Sequence, residues 1–148
     1  MMKKLYIAYG SNLNMEQMSY RCPDARPLGI AYLKGYEMLF RGNSRGTGVA
    51  TIEKCAGSVV PVGIWSISEQ DEEYLDIYEG FPTLYRKEYL PLSLNGERMT
   101  GLIYVMNEGR RIAEPSEFYV DTIRFGYLDF GIDMKYLDKA LDKMYETL

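Results

Sequence analysis

The chain has 148 residues, 47% of them hydrophobic and 26% charged, which are proportions typical of a globular domain and not of a disordered segment. Its net charge is −4 and no stretch is dense in lysine or arginine, which argues against nucleic acid as a partner. Histidine is absent, which excludes Ser-His-Asp and Cys-His nucleophile arrangements and nearly all zinc and non-haem iron sites.

The distribution of apolar residues and cysteines indicates where the protein works. No apolar run reaches about 18 residues, so no membrane span is predicted. The segment after Lys3 and Lys4 is too short and too polar for a signal sequence. Cys22 and Cys55 lie far apart and are predicted to be free thiols. We therefore expect a cytoplasmic protein. The length of the chain predicts a single domain, residues 1–148, and suits a monomer or a small homodimer.

The first predicted elements are a strand and a short helix. Residues 4–9 alternate in the manner of a strand, and residues 14–21 are predicted to form the helix. Between them lies a run of small residues that begins at Gly10. Either Asn12 or Asn14 can cap the helix.

The middle of the chain has the alternation of β-strands. Strands are predicted over residues 28–40, 47–53, 59–67, 85–94 and 98–106. Asn95-Gly96 is typical of a tight hairpin turn and joins the last two strands.

Three further helices are predicted. Ser68 and Asp71 have the spacing of a capping box, and Gly80 ends the helix that follows them. The other two run from Pro115 to roughly Phe125 and from Asp133 onward. Together the elements predict an α+β fold, a small mixed, mostly antiparallel sheet or barrel with flanking helices.

The residues that follow the first strand are a candidate anion site. A glycine at position 10 can adopt positive φ, and the amides of residues 10–13 would then point at a carboxylate or phosphate. The alternative is a tight turn with an asparagine cap, which the pattern taken alone favours.

Glu79 is the candidate general base. It lies in the last turn of a predicted helix, where the macrodipole disfavours a negative charge. Tyr78, Phe81 and Tyr85 flank it and can desolvate it, which would raise its pKa toward neutrality. The alternative is a solvated glutamate on an acidic helix, which the local sequence favours.

Aromatic and basic side chains are candidates for a pocket wall. Those that could bind a polar substrate are Tyr85, Arg86, Tyr104, Tyr119 and Arg124. Most of the 14 tyrosines are nevertheless expected to be ordinary packing residues.

Several segments resemble, in order, those of one family. They are Tyr6-Ile7-Ala8-Tyr9-Gly10-Ser11-Asn12-Leu13, Gly48-Val49-Ala50-Thr51-Ile52, Pro61-Val62-Gly63-Ile64-Trp65, Leu75-Asp76-Ile77-Tyr78-Glu79-Gly80, Tyr104-Val105-Met106 and Pro115-Ser116-Glu117-Phe118-Tyr119. Their order and content resemble the gamma-glutamylcyclotransferase-like family, which includes the AIG2-like and gamma-glutamylamine cyclotransferase branches.

The resemblance implies a small mixed barrel with flanking helices, no cofactor and no metal. It implies a small-molecule gamma-glutamyl substrate, whose α-amine attacks its own γ-carbonyl to give 5-oxoproline and an amine or amino acid. Glu79 would be the catalytic base. The substrate-binding residues would be Tyr9, Gly10, Ser11, Asn12, Leu13, Tyr85 and Tyr119.

Two other functions stay open at this point. The first is a non-catalytic module that keeps the pocket and binds a small carboxylate. The second is a mainly structural protein whose tyrosine-rich surface docks a partner. An enclosed cavity that contains Glu79 would favour the enzyme over the structural protein.

Overall fold

The architecture comes from a computed structural model, which describes residues 3–148; residues 1 and 2 of the expected domain lie outside this range. The strands are β1 (Lys4–Ala8), β2 (Arg26–Gly42), β3 (Gly48–Ile67), β4 (Tyr85–Leu94) and β5 (Glu97–Met106). The helices are α1 (Met15–Arg21), α2 (Glu69–Glu79), α3 (Glu117–Phe130) and α4 (Lys135–Thr147). A 3-10 turn, Ser11–Leu13, separates β1 from α1.

The five strands form one sheet in the order β2-β3-β1-β5-β4, with β1 at its centre. β1 is antiparallel to β3 and parallel to β5, and the other neighbours are antiparallel. This arrangement confirms the predicted α+β fold with a mixed, mostly antiparallel sheet. The central strand therefore delivers its end, and the turn after it, to the middle of the molecule.

"Barrel" is only a loose description of this sheet. The edge strands β2 and β4 approach each other, and a Cβ atom on Gly29 would lie 3.3 Å from Leu94 Cδ1. Within residues 3–148, however, no hydrogen-bonded ladder joins these two edges. The sheet is thus curled but open.

The largest departure from the predicted elements is that residues 47–53 and 59–67 belong to one long strand. Pairing between β2 and β3 runs up to Tyr36 with Lys54 and resumes at Lys34 with Val59. The residues in between bulge out of the ladder, and Gly57 takes φ 85°. The bulge interrupts the alternation of side chains, and the sequence pattern therefore predicts two strands where the structure has one.

The predicted caps and turn are confirmed. The Ser68 side chain accepts from the amide of Asp71, and the Asp71 side chain accepts from the amide of Ser68. Gly80 ends α2 in the left-handed conformation, with φ 66°. Asn95 and Gly96 have φ 52° and 83°, as a tight hairpin turn requires.

The two predicted C-terminal helices exist with shifted bounds. α3 begins at Glu117, after the cap Ser116, and runs five residues beyond the predicted Phe125 because the first left-handed glycine is Gly131. α4 begins at Lys135 instead of Asp133. Among residues 3–148, no helix is both long and apolar enough to cross a membrane.

Close packing ties α3 to the turn after β1. A Cβ atom on Gly126 would lie 2.7 Å from atoms of Leu13 and from the Asn14 amide nitrogen. The Phe130 ring packs edge-on against Trp65, with centroids 5.6 Å apart. α3 therefore lies directly against the backbone that begins the candidate site.

Both cysteines are free, as predicted. Cys22 is buried at the end of α1, and burial raises the pKa of its thiol to about 12. The Cys22 thiol is therefore protonated at neutral pH and has a packing role.

Candidate active site

The turn that follows β1 is built from Gly10, Ser11, Asn12 and Leu13, and we call it the glycine turn. The Leu13 amide donates to the Gly10 carbonyl at 3.0 Å. The amides of Ser11 and Asn12 precede this first bond, so the turn itself does not use them. They are available to an anion.

Gly10 is required for space and not for its φ. The expectation of a positive φ was wrong, because Gly10 has φ −124° and ψ −127°. A Cβ atom at this position would lie 3.1 Å from Ala50 Cβ and 3.6 Å from the Tyr119 hydroxyl oxygen. A side chain here would therefore intrude on the wall that faces the turn.

Leu13 is separated from the other residues of the glycine turn. Its side chain is fully buried in the core. Its Cδ2 would be 2.7 Å from a Cβ atom on Gly63, so it packs directly over that glycine. With its amide already bonded to Gly10, Leu13 contributes to packing and does not line the cavity.

The two asparagines near the turn have different roles. The Asn14 side chain accepts from the Gln17 amide at 2.9 Å and is the cap of α1. Asn12 is therefore not needed as a cap. Its side chain is free to take part in the site.

Asn12 is held by the core on one side and faces the site on the other. The Trp65 indole donates to the Asn12 carbonyl at 3.0 Å, which fixes the backbone. The Asn12 Nδ2 donates to the Tyr6 hydroxyl at 2.9 Å and to Glu79 Oε1 at 3.4 Å. The Asn12 side-chain amide thus joins the glycine turn to the last turn of α2.

These groups surround a cavity of about 250 Å³. Of the residues predicted as a site, the cavity is lined by Tyr9, Gly10, Ser11, Asn12, Glu79, Tyr85, Tyr104 and Tyr119. The remaining wall is formed by Tyr6, Asn43, Val49, Ala50, Tyr78 and Leu84. Residues from distant parts of the chain therefore converge on one small, tyrosine-rich space.

Glu79 contributes the acidic group of the cavity wall. It is half-buried, and burial raises the pKa of its carboxyl to about 8, against the opposing effect of the Arg21 guanidinium. Tyr78 and Tyr85 line the same cavity, as their flanking positions predicted, whereas Phe81 does not. Near neutral pH the carboxyl exchanges readily between its two protonation states.

Two of the cavity tyrosines direct their protons at the backbone. The Tyr9 hydroxyl donates to the Tyr104 carbonyl at 2.7 Å. The Tyr85 hydroxyl donates to the Ala50 carbonyl at 2.6 Å. These two phenols shape the wall, and their protons are not available to a ligand.

Two other phenols accept hydrogen bonds and keep their own protons. The Tyr119 hydroxyl accepts from the Ala50 amide at 3.0 Å. The Tyr6 hydroxyl accepts from Asn12. Burial raises the pKa of both tyrosines, so both stay protonated at neutral pH and can donate into the cavity.

The two arginines named in the sequence lie elsewhere. Arg86 pairs with Glu88 at 2.7 Å, and Arg124 pairs with Asp121 at 3.2 Å. Neither lines the cavity. Both ion pairs are partly exposed and make a small contribution to stability.

Sequence reasoning missed Tyr6 and Arg21. Tyr6 occupies an ordinary alternating position of β1. The Arg21 guanidinium donates to Asn12 Oδ1 at 2.5 Å and lies 3.6 Å from the centre of the Tyr78 ring. These contacts join residues that are separated by 9 and 57 positions along the chain, so no local pattern could have indicated them.

Comparison with known proteins gives a consistent result. Residues 6–121 match the family model described as gamma-glutamyl cyclotransferase, AIG2-like. The gamma-glutamylcyclotransferase of Homo sapiens is 31% identical over 144 residues, which cover 91% of this chain and 76% of that protein. That of Bos taurus is 29% identical over 147 residues, with the same coverage. A solved structure of a gamma-glutamyl cyclotransferase has a TM-score of 0.85 at 27% identity, over 94% of this chain and 86% of that chain.

Proposed function

The chain belongs to the gamma-glutamyl cyclotransferase, AIG2-like family, and we propose that it converts a gamma-glutamyl amide into 5-oxoproline and a free amine or amino acid. The observation that supports this proposal most strongly is the position of Glu79. Its carboxyl shares a cavity of about 250 Å³ with the glycine turn, and its Oε1 lies 3.4 Å from the side-chain nitrogen Nδ2 of Asn12. A base and a set of hydrogen-bond donors thus face one small space.

The reaction needs one proton moved out and one returned. The substrate's α-amine loses a proton to the base, and its nitrogen attacks the γ-carbonyl carbon. The bond between that carbon and the leaving nitrogen breaks, and the leaving amine takes up a proton. The pKa of Glu79, raised to about 8, lets its carboxylate accept a proton and its carboxylic acid return one near neutral pH.

The donors around the cavity suit the charges of such a substrate. The Ser11 and Asn12 amides and the Tyr6 and Tyr119 hydroxyls can bind the α-carboxylate or the oxyanion that develops on the γ-carbonyl. The amine and the carbonyl are already joined in the substrate, so the protein's contribution is to hold them in a near-attack geometry.

The proposed chemistry involves neither a metal nor a cofactor. All atoms of the ring come from the substrate, and no oxidation state changes. A cytoplasmic location and a monomeric or homodimeric state stay predictions from the sequence.

The test is mass spectrometry for 5-oxoproline after the protein has been incubated with a panel of gamma-glutamyl amino acids and amines. Glu79→Gln keeps the shape of the side chain but removes the base, and we expect a loss of about 10²–10⁴-fold in turnover. Glu73→Gln changes an exposed glutamate on the same helix and should keep full activity.

Full turnover in Glu79→Gln, with the fold intact by its melting temperature, would contradict the assignment of the base. The absence of product from every substrate, together with a rise in melting temperature on addition of small carboxylates, would instead support a non-catalytic binding module.

A further inference from the structure

We propose that Arg21 is a positioning residue: its guanidinium fixes the orientation of the Asn12 amide and the last turn of α2, and so holds Glu79 in place for the reaction. The catalytic part of this proposal rests on the proposed function. Arg21 itself does not line the cavity. It acts through Asn12 and Tyr78, which do line the cavity.

Three contacts fix the guanidinium. It donates to Asn12 Oδ1 at 2.5 Å and to Gln17 Oε1 at 2.8 Å. Its central carbon lies 3.6 Å from the centre of the Tyr78 ring, in a cation–π contact. Because the guanidinium is planar and its donors have fixed directions, these contacts define its position more closely than a lysine could.

The bond to Asn12 decides which way the amide faces. A carboxamide has an acceptor at one end and donors at the other. With Oδ1 bonded to Arg21, Nδ2 must face Tyr6 and Glu79, which matches the bonds observed there. A flipped amide would place an oxygen against the Glu79 carboxylate, and Arg21 excludes that arrangement.

The contact with Tyr78 holds the helix that carries the base. Tyr78 precedes Glu79, and its hydroxyl lies 3.1 Å from Ser11 Oγ. The ring is thus fixed by the glycine turn at its tip and by Arg21 on its face. Loss of the guanidinium would free one of these two restraints on the last turn of α2.

Arg21 also supplies a positive charge near Glu79. The other titratable groups that face Glu79 are the cavity phenols Tyr6, Tyr9, Tyr78, Tyr85, Tyr104 and Tyr119. Burial raises the pKa of Tyr6, Tyr9, Tyr85 and Tyr119, so these phenols carry no charge at neutral pH. Arg21 lowers the pKa of Glu79 below the value that burial alone would give.

The experiment compares wild-type protein with Arg21→Gln and Arg21→Lys by two kinds of measurement. The first kind is NMR without substrate. Carbon-13 NMR follows the titration of the Glu79 carboxyl, whose resonance is assigned with Glu79→Gln. The side-chain amide resonance of Asn12 is recorded as well and is assigned with Asn12→Asp. The second is kcat/KM for 5-oxoproline release as a function of pH. Arg124→Gln, which removes an arginine outside the cavity, is the control.

Arg21→Gln should raise the pKa of Glu79, move the acidic limb of kcat/KM to higher pH and lower kcat/KM by about 10–100-fold. Arg21→Lys keeps the charge but not the planar contacts. It should leave the pKa of Glu79 near that of the wild type, yet move the Asn12 resonance and lower kcat/KM. Arg124→Gln should change none of these.

An unchanged Glu79 titration in folded Arg21→Gln would overturn the electrostatic part of the proposal. An unmoved Asn12 resonance in Arg21→Lys would overturn the positioning part, and this variant decides the matter if Arg21→Gln does not fold. Failure of the wild type to produce 5-oxoproline would contradict the proposed function alone, since both NMR measurements are independent of turnover.

Discussion

Glu79 is subject to two opposing effects, burial that disfavours its charge and the Arg21 guanidinium that favours it. Burial is the larger effect, so its pKa is raised to about 8. As the proposed base, Glu79 would work only when deprotonated, so kcat/KM should increase with pH and reach half of its plateau near pH 8. A steady-state pH profile checks this. A plateau already reached at pH 6 would contradict it.

The same shift predicts how stability depends on pH. The folded-state pKa of Glu79 lies above its unfolded value of about 4.3, so folding favours the protonated form. This contribution is fully present below about pH 4.3 and is lost as the pH increases through 8. Glu79→Gln should therefore melt above the wild type at pH 9, by at least about 2–4 °C, which corresponds to about 1 kcal/mol. At pH 4 the two should melt together.

The residues of the site were predictable to different degrees. Ser11, Asn12 and Glu79 belong to short sequence motifs that made them candidates, and all three line the cavity. Leu13 shares the first motif, but its amide is used inside the turn and its side chain is in the core. Arg21 acts only through contacts made after folding, so its role is absent from any local pattern.

At the scale of the elements, the packing of α3 on the glycine turn is a testable contact. Gly126→Ala would place a Cβ atom 2.7 Å from Leu13 and from the Asn14 amide nitrogen. In a helix interior, replacing glycine with alanine normally stabilises by about 1 kcal/mol. Here we expect the opposite sign, a loss of about 1–3 kcal/mol, because backbone must move.

Urea unfolding measures this change, and Leu128→Ala, at an exposed position of the same helix, is its control. The control should stay within about 0.5 kcal/mol of the wild type. Stabilisation by Gly126→Ala would show that α3 does not press on the glycine turn. We also expect Gly126→Ala to lower kcat/KM, because the displaced turn carries the backbone amides proposed to bind the substrate.

Caps and turns with a local signature were more predictable than the full extent of an element. Ser68, Gly80 and Asn95-Gly96 fix their caps and turn by local geometry, and each is found where it was predicted. The continuation of β3 through Gly57 depends instead on pairing with β2, a contact between distant segments. Local sequence cannot specify where such a ladder resumes.

At the scale of the whole molecule, the features set by local sequence were again predictable and those set by distant contacts were not. The fold class followed from the alternation of strands and helices, and the central position of β1 explains why the glycine turn reaches the interior. The sequence could not predict whether the sheet closes into a barrel, because closure depends on the relative placement of β2 and β4. These edges approach at Gly29 and Leu94 without pairing.

The most direct test of the central claim follows the oxygen atoms of the product. We would incubate the protein in water labelled with oxygen-18, together with a gamma-glutamyl amide that is a substrate, and analyse the products by mass spectrometry. Attack by the substrate's own amine predicts unlabelled 5-oxoproline and one equivalent of released amine, and no product when the α-amine is acetylated. Glutamate carrying oxygen-18 would show hydrolysis by water instead, and would contradict the account.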